Sequence, residues 1–402
     1  MYRGGNTMKF YTTDKLKSGM RLARPIYDKR GVLLYDRNSV LTGQTLENIK
    51  NFNLIGVFIL EEAEPVPPIT DEERELEQLQ TSYMFRLRDC LVSISKGRML
   101  PDFKVLVSDI TEKYSHRKGS FHFSQLIRSA DDYTYKHSVC TAILCALIGG
   151  QLSLSDKAIS DLVTAALLAD FGYLYVPKNI MLKDESNWTA VDVLTVEQYR
   201  KKAFELLKPA DNPYGFSYNA LELTEKALEI TRVEPTQING SEWSTEAKIL
   251  LVADKYDRMT AMSLSKQPQS AISAYKYLKK KYLIYEPMVV SGLAKAISIM
   301  SPGASVRLNT KNNALVLEEG GADADRPVLL DLKSNNLIDL GDSLTKGILE
   351  IDDIMESLDM RYKCDEETLK QFVPDEKLKE VTRRIRIRLA NAKKRFESRQ
   401  RK

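Results

Sequence analysis

Short apolar runs alternate with turn-forming residues at the start of the chain. This pattern, over Met8–Glu62, predicts a small strand-rich module with one helix at Thr45–Phe52 and a strand at Val57–Leu60. The stretch Glu61–Ile69 then places three prolines among acidic residues, which predicts a stiff linker. Residues 1–7 carry no comparable pattern, so we expect the second methionine to be the true start of the protein.

A long amphipathic helix is predicted after this linker. Thr70 followed by Glu73 is a capping-box signature for its start. Apolar residues then repeat at helical spacing along one face: Leu76, Leu79, Tyr83, Leu87, Leu91 and Ile94. Such a stripe either packs on the core of the next domain or belongs to a signalling or dimerisation helix, and the sequence leaves both interpretations open.

The pattern over Phe103–Met300 is almost entirely helical. Asp131–Ile148 is apolar nearly all round, which predicts a buried central helix. Ser155–Ala169 and Thr245–Met262 have the spacing of further helices, the second capped by Thr245. We therefore expect the middle of the chain to be a helical domain.

After Pro302 the apolar residues change to a spacing of two, which predicts a small β appendage. A last apolar stripe then predicts a C-terminal helix, through Leu378, Val381, Ile385, Leu389, Ala392 and Phe396. The whole chain is predicted to be mainly α, in five parts: a small α+β module (1–64), a linker with amphipathic helices (65–130), a helical domain (131–300), the β appendage (301–341) and an acidic-to-basic helical tail (342–402).

Composition narrows the class of protein. The 402 residues are 43% hydrophobic and 28% charged, which excludes collagen-like, disordered and disulfide-scaffold proteins. The longest uninterrupted apolar run, Ala142–Ile148, is far shorter than the roughly 20 residues of a membrane span. No secretion signal opens the chain and its four cysteines form no Cys-x-x-Cys pair, so we expect a cytoplasmic protein without a structural zinc site.

The net charge of +4 conceals a strongly basic C-terminal end. Lys377–Lys402 holds 12 lysines and arginines against two acids, while the rest of the chain is mildly acidic. Three contacts fit this tail: the protein body or a protein partner, an anionic membrane surface, or nucleic acid. No zinc, helix-turn-helix or RNA-binding motif accompanies it, so the sequence indicates an anionic contact without sequence-specific recognition.

Candidate chemistry is concentrated in three segments. They are Asp132–Val139 (DYTYKHSV), Ala165–Pro177 (AALLADFGYLYVP) and Ile249–Thr260 (ILLVADKYDRMT). In this order and spacing they resemble the HD-GYP family, bacterial helical domains that hydrolyse cyclic di-GMP with a metal cluster. The resemblance extends over about residues 103–340, and the N-terminal module is similar to one often found upstream of such domains. It implies an all-helical HD-type fold.

The resemblance also implies a partly retained metal site. The family's ligand positions correspond here to His137, Asp170 and Asp254. A two-metal phosphodiesterase holds its ions about 3.5–4 Å apart and gives several ligands to each. Because two carboxylates and one imidazole hold one ion at most, we expect no metal cofactor, where the family would use two or three iron or manganese ions. The alternative interpretation of His137 is a hydrogen-bonded core histidine.

The other signature positions of the family are substituted. Where the family has further metal-binding histidines and a phosphate-facing lysine, this chain has Ala169, Tyr173, Tyr199, Arg232 and Val233. His116 and His122 lie upstream of the three segments and are not natural replacements. The sequence therefore predicts a catalytically degenerate domain.

Buried carboxylates without a metal need another positive partner, because an unpaired buried charge is costly. We expect a cationic side chain to replace the metal, with Arg232 as the first candidate and Lys201 and Lys202 nearby in sequence to Tyr199.

The predicted function is regulatory: the chain binds a protein partner or a cyclic dinucleotide without hydrolysing it. Two alternatives stay open, a metal-dependent cyclic di-GMP phosphodiesterase with a non-standard ligand set and an adaptor that docks on membrane or nucleic acid through Lys377–Lys402. The amphipathic stripe also makes a homodimer a reasonable expectation. Metal content separates the first two functions, and salt-sensitive binding through the tail would favour the third.

Overall fold

The structure of this chain is a computed structural model that describes residues 8–27, 32–37, 39–52, 54, 56–60, 71–98, 102–117, 119–183, 187–229, 243–262, 268–302, 304–321, 323–331 and 336–354. Within these residues lie eleven α-helices and ten short strands, so the predicted mainly α class is confirmed. Several sequence predictions fall outside them: the linker Glu61–Ile69, the cap residue Thr70, the substituted positions Arg232 and Val233, and the basic tail Lys377–Lys402.

The N-terminal module is a small α+β unit, as predicted. Its elements are β1 (Met8–Thr12), β2 (Arg21–Leu22), β3 (Ile26–Tyr27), β4 (Leu33–Tyr35), α1 (Gly43–Asn51) and β5 (Gly56–Leu60). One antiparallel sheet has the strand order β1-β5-β2, and β3 pairs with β4 as a hairpin. Helix α1 begins after Thr42, whose hydroxyl accepts a hydrogen bond from the Thr45 amide. Buried Leu22, Ile49 and Val57 form part of the module's core.

The described helices that follow build the domain that carries the site. They are α2 (Asp71–Ser95), α3 (Phe103–Ser115), α4 (Tyr133–Gln151), α5 (Asp156–Leu168), α6 (Lys178–Met181), α7 (Ala190–Glu205), α8 (Tyr218–Ala227), α9 (Thr245–Thr260), α10 (Ala271–Lys280) and α11 (Pro287–Ala296). Helix α4 is the predicted central helix, because α2, α3, α5, α9 and α11 all pack around it. Because α4 is apolar nearly all round, each of these helices packs against an apolar side of it.

Two details of the helices bear on the sequence predictions. The stripe along α2 is buried in the main core, apart from half-buried Leu79, which supports core packing over an exposed signalling or dimerisation face. The prediction that Thr245 caps α9 is wrong. Ser244 is the cap, and its hydroxyl accepts a hydrogen bond from the Ala247 amide, so Thr245 is the first helical residue.

One stretch of the predicted helical region is extended instead. Residues 119–129 contain no helix and run alongside the domain, with Phe121 bridged to Ile297 and Ser129 bridged to Leu54 of the N-terminal module. Arg24 of that module donates a hydrogen bond of 2.7 Å to the Gln125 carbonyl oxygen. This extended stretch therefore connects the N-terminal module with the helical domain.

The β appendage is confirmed, but it extends beyond its predicted end. Its strands are β6 (Ser305–Leu308), β7 (Asn313–Glu318), β8 (Val328–Asp331), β9 (Leu337–Asp339) and β10 (Ile351–Ile354), in the antiparallel order β10-β6-β7-β8-β9. Residues 351–354 were predicted to lie in the helical tail. They form an edge strand because Ile351 is buried against the sheet, and a four-residue run among acids carries little periodicity of its own.

Among the described residues, one segment is long and apolar enough to cross a membrane by length and composition, Asp156–Tyr175. It covers α5 and the 3-10 helix after it, and 72% of it is buried inside the protein. Burial of this kind is what the core helix of a folded domain shows.

Candidate functional site

Three helices bring the predicted ligand positions together. His137 lies in the second turn of α4, Asp170 follows the end of α5, and Asp254 lies in the second half of α9. One ligand atom from each lies within 4.8 Å of the others, and all three residues are buried. The structure therefore places side by side the three residues that the sequence singled out.

Each ring nitrogen of His137 faces a carboxylate. Nδ1 lies 2.5 Å from Asp257 Oδ2, whereas Nε2 lies 2.9 Å from Asp254 Oδ1 and 3.4 Å from Asp170 Oδ2. Burial and the neighbouring Arg258 lower the pKa of His137, but the three carboxylates outweigh them and raise it. A protonated imidazole satisfies this arrangement because it donates on both sides.

Arg258 joins the two carboxylates of the cluster. Its Nε donates to both oxygens of Asp254, at 3.1 and 3.0 Å, and its Nη2 donates to Asp170 Oδ2 at 2.8 Å. Asp254 and Arg258 are four residues apart on α9 and so share one face of the helix. The role predicted for Arg232 is therefore taken by Arg258 in the described structure, while Arg232 itself lies outside it.

A second arginine holds the other side of His137. Arg128 is fully buried and its Nη2 donates to both oxygens of Asp257, at 2.7 and 2.9 Å. The Tyr133 ring lies over the same guanidinium at 5.1 Å and stacks beside the His137 ring, with the two ring centroids 6.2 Å apart. His137 is thus held between two arginine-carboxylate pairs.

The charges of these pairs keep the carboxylates ionised. Burial raises the pKa of Asp257, but Arg128 and His137 outweigh it and lower the pKa to about 2. Burial also raises the pKa values of Asp170 and Asp254, and Arg258 is the largest of the influences that bring both below the ordinary aspartate value. Three buried negative charges thus face two arginines and His137.

The substituted positions surround this cluster with packed side chains. Tyr173 is buried, and two guanidinium groups lie near its ring, Arg200 at 5.0 Å and Arg258 at 5.8 Å. Half-buried Tyr199 packs in the same small apolar cluster as Tyr173, and Ala169 lines the small cavity beside His137. Where a phosphate-facing lysine was expected by resemblance, the chain therefore has an aromatic ring beside two cations.

Arg200 was not predicted, yet it shapes this part of the site. It is buried and donates to the carbonyl oxygens of Ala227 and Leu228 at 2.8 and 3.1 Å, so it links α7 to the end of α8. Gly172 packs directly on it, since a Cβ at residue 172 would lie 2.4 Å from Arg200 Cα. Lys201 and Lys202, which the sequence offered as cations, are exposed.

The space beside the cluster is very small. The cavity lined by His137, Thr141, Asp170, Arg200 and Asp254 has a volume of about 10 Å³. That volume suits about one water molecule and is far below the ~300 Å³ at which pockets for small-molecule ligands begin. The described residues therefore leave no room for a nucleotide at this point.

The donor set fits one metal ion and not two. His137, Asp170 and Asp254 are the single group of three such ligands in the part of the chain that the structure describes. A histidine that donates its other nitrogen to a carboxylate, as His137 does to Asp257, is typical of metal-binding histidines. An ion here would have to displace Arg258, because its guanidinium already occupies Asp170 and Asp254.

The two other histidines do not supply the missing ligands. His116 is exposed and lies 3.3 Å from Asp156, while His122 is half-buried beside Ser301. Sequence reasoning missed Asp257, Arg258 and Arg128. Arg258 could have been found from its position four residues after Asp254, which places both side chains on one face of a helix. Nothing in the sequence marks Arg128, which lies in an extended stretch.

Comparison with known proteins shows what the sequence of this chain resembles. The family model described as HD domain matches residues 122–289. The chain is 26% identical over 216 residues to a cyclic di-GMP phosphodiesterase of Pseudomonas aeruginosa, covering 54% of this chain and 52% of that protein. It is 27% identical over 187 residues to a 3'3'-cGAMP-specific phosphodiesterase of Vibrio cholerae, covering 44% and 38%.

These matches span about half or less of the length of those relatives. Among solved structures, an HDG"Y"P protein from Bdellovibrio bacteriovorus aligns over 71% of this chain and 98% of its own, with 13% identity and a TM-score of 0.40. The sequence matches support the predicted resemblance: residues 122–289 match an HD domain, and the chain is similar in sequence to proteins named as cyclic dinucleotide phosphodiesterases.

Proposed function

We propose that this chain is a cytoplasmic regulatory HD-domain protein whose HD centre binds no catalytic metal pair and does not hydrolyse cyclic dinucleotides. The HD centre is the name we give to the cluster of His137, Asp170, Asp254 and Asp257 with Arg128 and Arg258. The observation that carries the proposal is the Arg258 guanidinium, which bridges Asp170 and Asp254. These are the carboxylates that a metal would need, and an internal cation already neutralises them.

The charge balance of the HD centre supports this proposal. Arg128 and Arg258 offset two of the three negative charges of Asp170, Asp254 and Asp257, and the same carboxylates raise the pKa of His137, so little net negative charge is left to attract a divalent ion. Metal binding requires a neutral histidine and free carboxylate oxygens. Both requirements oppose the hydrogen bonds described above, and the two-metal chemistry of a phosphodiesterase requires more ligands still.

The relatives supply the ligand class of the proposal. Because proteins of similar sequence are named for cyclic di-GMP and 3'3'-cGAMP, we expect this chain to bind a cyclic dinucleotide or a protein partner and to signal by that binding. The basic tail Lys377–Lys402 is expected to add an anionic contact. The stripe on α2 no longer argues for a homodimer, since it is buried within the chain.

Metal content tests the proposal directly. The protein is purified without chelator or affinity nickel, and bound metals are measured per chain by mass spectrometry beside an assay of cyclic di-GMP hydrolysis. We expect no bound transition metal and no hydrolysis. Close to two equivalents of iron or manganese, together with turnover, would refute the proposal.

One observation favours a second candidate, a phosphohydrolase that uses a single ion. His137 presents Nε2 to two carboxylates and holds Nδ1 against Asp257, the orientation of a metal-binding histidine. In that case His137, Asp170 and Asp254 would hold the ion, which would polarise a phosphoryl oxygen or a water. One bound equivalent of metal, accompanied by hydrolysis, would favour this candidate over the first.

A further inference from the structure

A second and much larger cavity lies between the N-terminal module and the HD domain. We name it the junction cavity; its volume is about 480 Å³, within the usual range of small-molecule sites. One face of α2 forms one wall, through Thr81, Phe85 and Arg88. Tyr27 and Phe52 of the N-terminal module, and the segment from Gln125 to Lys136, close the other sides.

Most charged groups around the junction cavity already have partners in the protein. Lys136 pairs with Asp132 at 2.6 Å and donates to the Ile127 carbonyl oxygen, and Asp131 lies 3.4 Å from Lys178. Arg88 differs from them. In the described part of the chain its one ion pair is a 3.6 Å contact with Asp89, a side chain that is 76% exposed.

The surroundings of Arg88 are those of a stacking site. Its guanidinium lies over the Phe85 ring at 4.7 Å, and the rings of Tyr135, Tyr27 and Phe52 line the same cavity. Planar bases stack on aromatic rings and on guanidinium groups, and an arginine fork binds phosphate oxygens through paired hydrogen bonds.

We propose that the junction cavity binds a guanine nucleotide, with the base stacked between the aromatic rings and the phosphate on Arg88. Its ligand class rests on the function proposed above, since the relatives are named for cyclic dinucleotides that contain guanine, whereas the position of the site does not depend on the HD centre being inactive. A free mononucleotide and a cyclic dinucleotide share this chemistry, and the experiment below separates them.

One short stretch of chain connects the junction cavity with the HD centre. Gln125 and Ser129 line the cavity, and Arg128 between them clamps Asp257 beneath His137. Arg128 also donates to the Gln125 side chain at 3.0 Å. The Gln125 backbone is held from the other side by Arg24 of the N-terminal module. The nucleotide would therefore touch the residues that join both parts of the molecule.

Titration calorimetry on the full chain tests the proposal, with cyclic di-GMP, GMP, AMP and inorganic phosphate as separate ligands. We expect one guanine ligand to bind and Arg88→Ala to weaken that binding by roughly tenfold or more, since a hydrogen bond to a charged group is lost. Arg86→Ala is the matched control: Arg86 is on the same helix, but it pairs with Asp109 and does not line the cavity. It should leave the affinity unchanged.

The remaining arms locate the ligand and define its chemistry. Cyclic di-GMP binding tighter than GMP would identify the cyclic form as the occupant, and the reverse order would identify the mononucleotide. The proposal is overturned if Arg88→Ala binds as the parent does, if Arg86→Ala weakens binding as much as Arg88→Ala, if AMP or phosphate alone binds as tightly, or if no guanine ligand binds. None of these results depends on the metal content that tests the proposed function.

Discussion

The HD centre and the junction cavity share the chain between Gln125 and Ser129 but use their charges in opposite ways. In the HD centre, Arg128 and Arg258 are bound to three aspartates, and about 10 Å³ of space remains. In the junction cavity about 480 Å³ is open, and the one ion pair of Arg88 among the described residues is a long contact with a solvent-exposed aspartate. The arginines of the first region each bind a buried carboxylate, whereas Arg88 binds none in the part of the chain that the structure describes.

This difference shows how a helical domain can hold buried carboxylates together with an internal cation. Buried carboxylates are costly unless a cation accompanies them, and a metal ion is one such cation. Arg258 supplies the charge from the same helix as Asp254, so the helices pack around the cluster without an ion.

The largest effect is expected for Arg128→Met. It would leave Asp257 buried and fully shielded from water without its arginine, so that His137 is its remaining charged partner among the described residues, while keeping much of the volume of the side chain. Loss of one partner of a buried ion pair costs about 3–5 kcal/mol. We expect a reduction of that size in the free energy of unfolding, measured by urea denaturation followed by far-UV circular dichroism.

The control for this variant removes the stranded charge. Arg128→Met combined with Asp257→Asn should recover part of the loss, because an amide costs less to bury than an unpaired carboxylate. If the single variant is as stable as the parent, the clamp on Asp257 is not structural and the comparison between the two regions fails.

Arg258→Met should have a smaller effect, about 2 kcal/mol, because the Arg258 side chain is 14% exposed and His137 still faces Asp170 and Asp254. The variant frees the carboxylate oxygens that a metal would use. We therefore expect manganese to raise its midpoint of thermal unfolding, by mass action, and to leave the parent protein unchanged.

Asp170→Asn is the matched change in the Arg258→Met background. It should restore part of the lost stability and abolish the response to manganese, because it removes both the unpaired charge and a ligand. An equal manganese response of the parent and Arg258→Met proteins would show that Arg258 does not replace a metal, and it would favour the single-ion enzyme.

The helical fold was predicted well from the sequence because, in a long helix, the spacing of the apolar residues shows which side is buried. The apolar character of Asp131–Ile148 and the stripe from Leu76 to Ile94 each led to an element found in the core. Short elements were missed because they are too short to show such a spacing. The extended stretch at 119–129 and strand β10 are held by pairing with distant chain, which leaves no local period to detect.

The sequence predicted the kind of candidate site, buried carboxylates beside a histidine and a cation, and some of its residues. His137, Asp170 and Asp254 followed from the family resemblance, and the need for a replacement cation followed from the cost of buried charge. The identity of that cation did not follow, because the prediction looked for it at a substituted position. Arg258 lies one helical turn after Asp254, so helical geometry identifies it once the ligand is known.

Arg24→Ala tests the attachment of the N-terminal module, with an expected loss of about 1–2 kcal/mol. The side chain is buried, donates to the Gln125 carbonyl oxygen at 2.7 Å and lies over the Phe58 ring at 4.8 Å. Hydrogen exchange of the 119–129 stretch should increase in this variant, while exchange in α4 remains slow. Unchanged exchange in that stretch would show that Arg24 does not hold it.

The smallest effect on stability is expected for Arg88→Ala, within about 0.5 kcal/mol of the parent, as for surface substitutions away from packed features. Arg88 has no buried carboxylate to compensate, and its contact with Asp89 is exposed to water, where ion pairs contribute little. The same urea denaturation should therefore barely separate it from the parent, although it removes the same kind of side chain as Arg128→Met. A loss above about 1 kcal/mol would mean that Arg88 is bound to the protein as firmly as the arginines of the HD centre. The junction cavity would then have no cation available to a nucleotide.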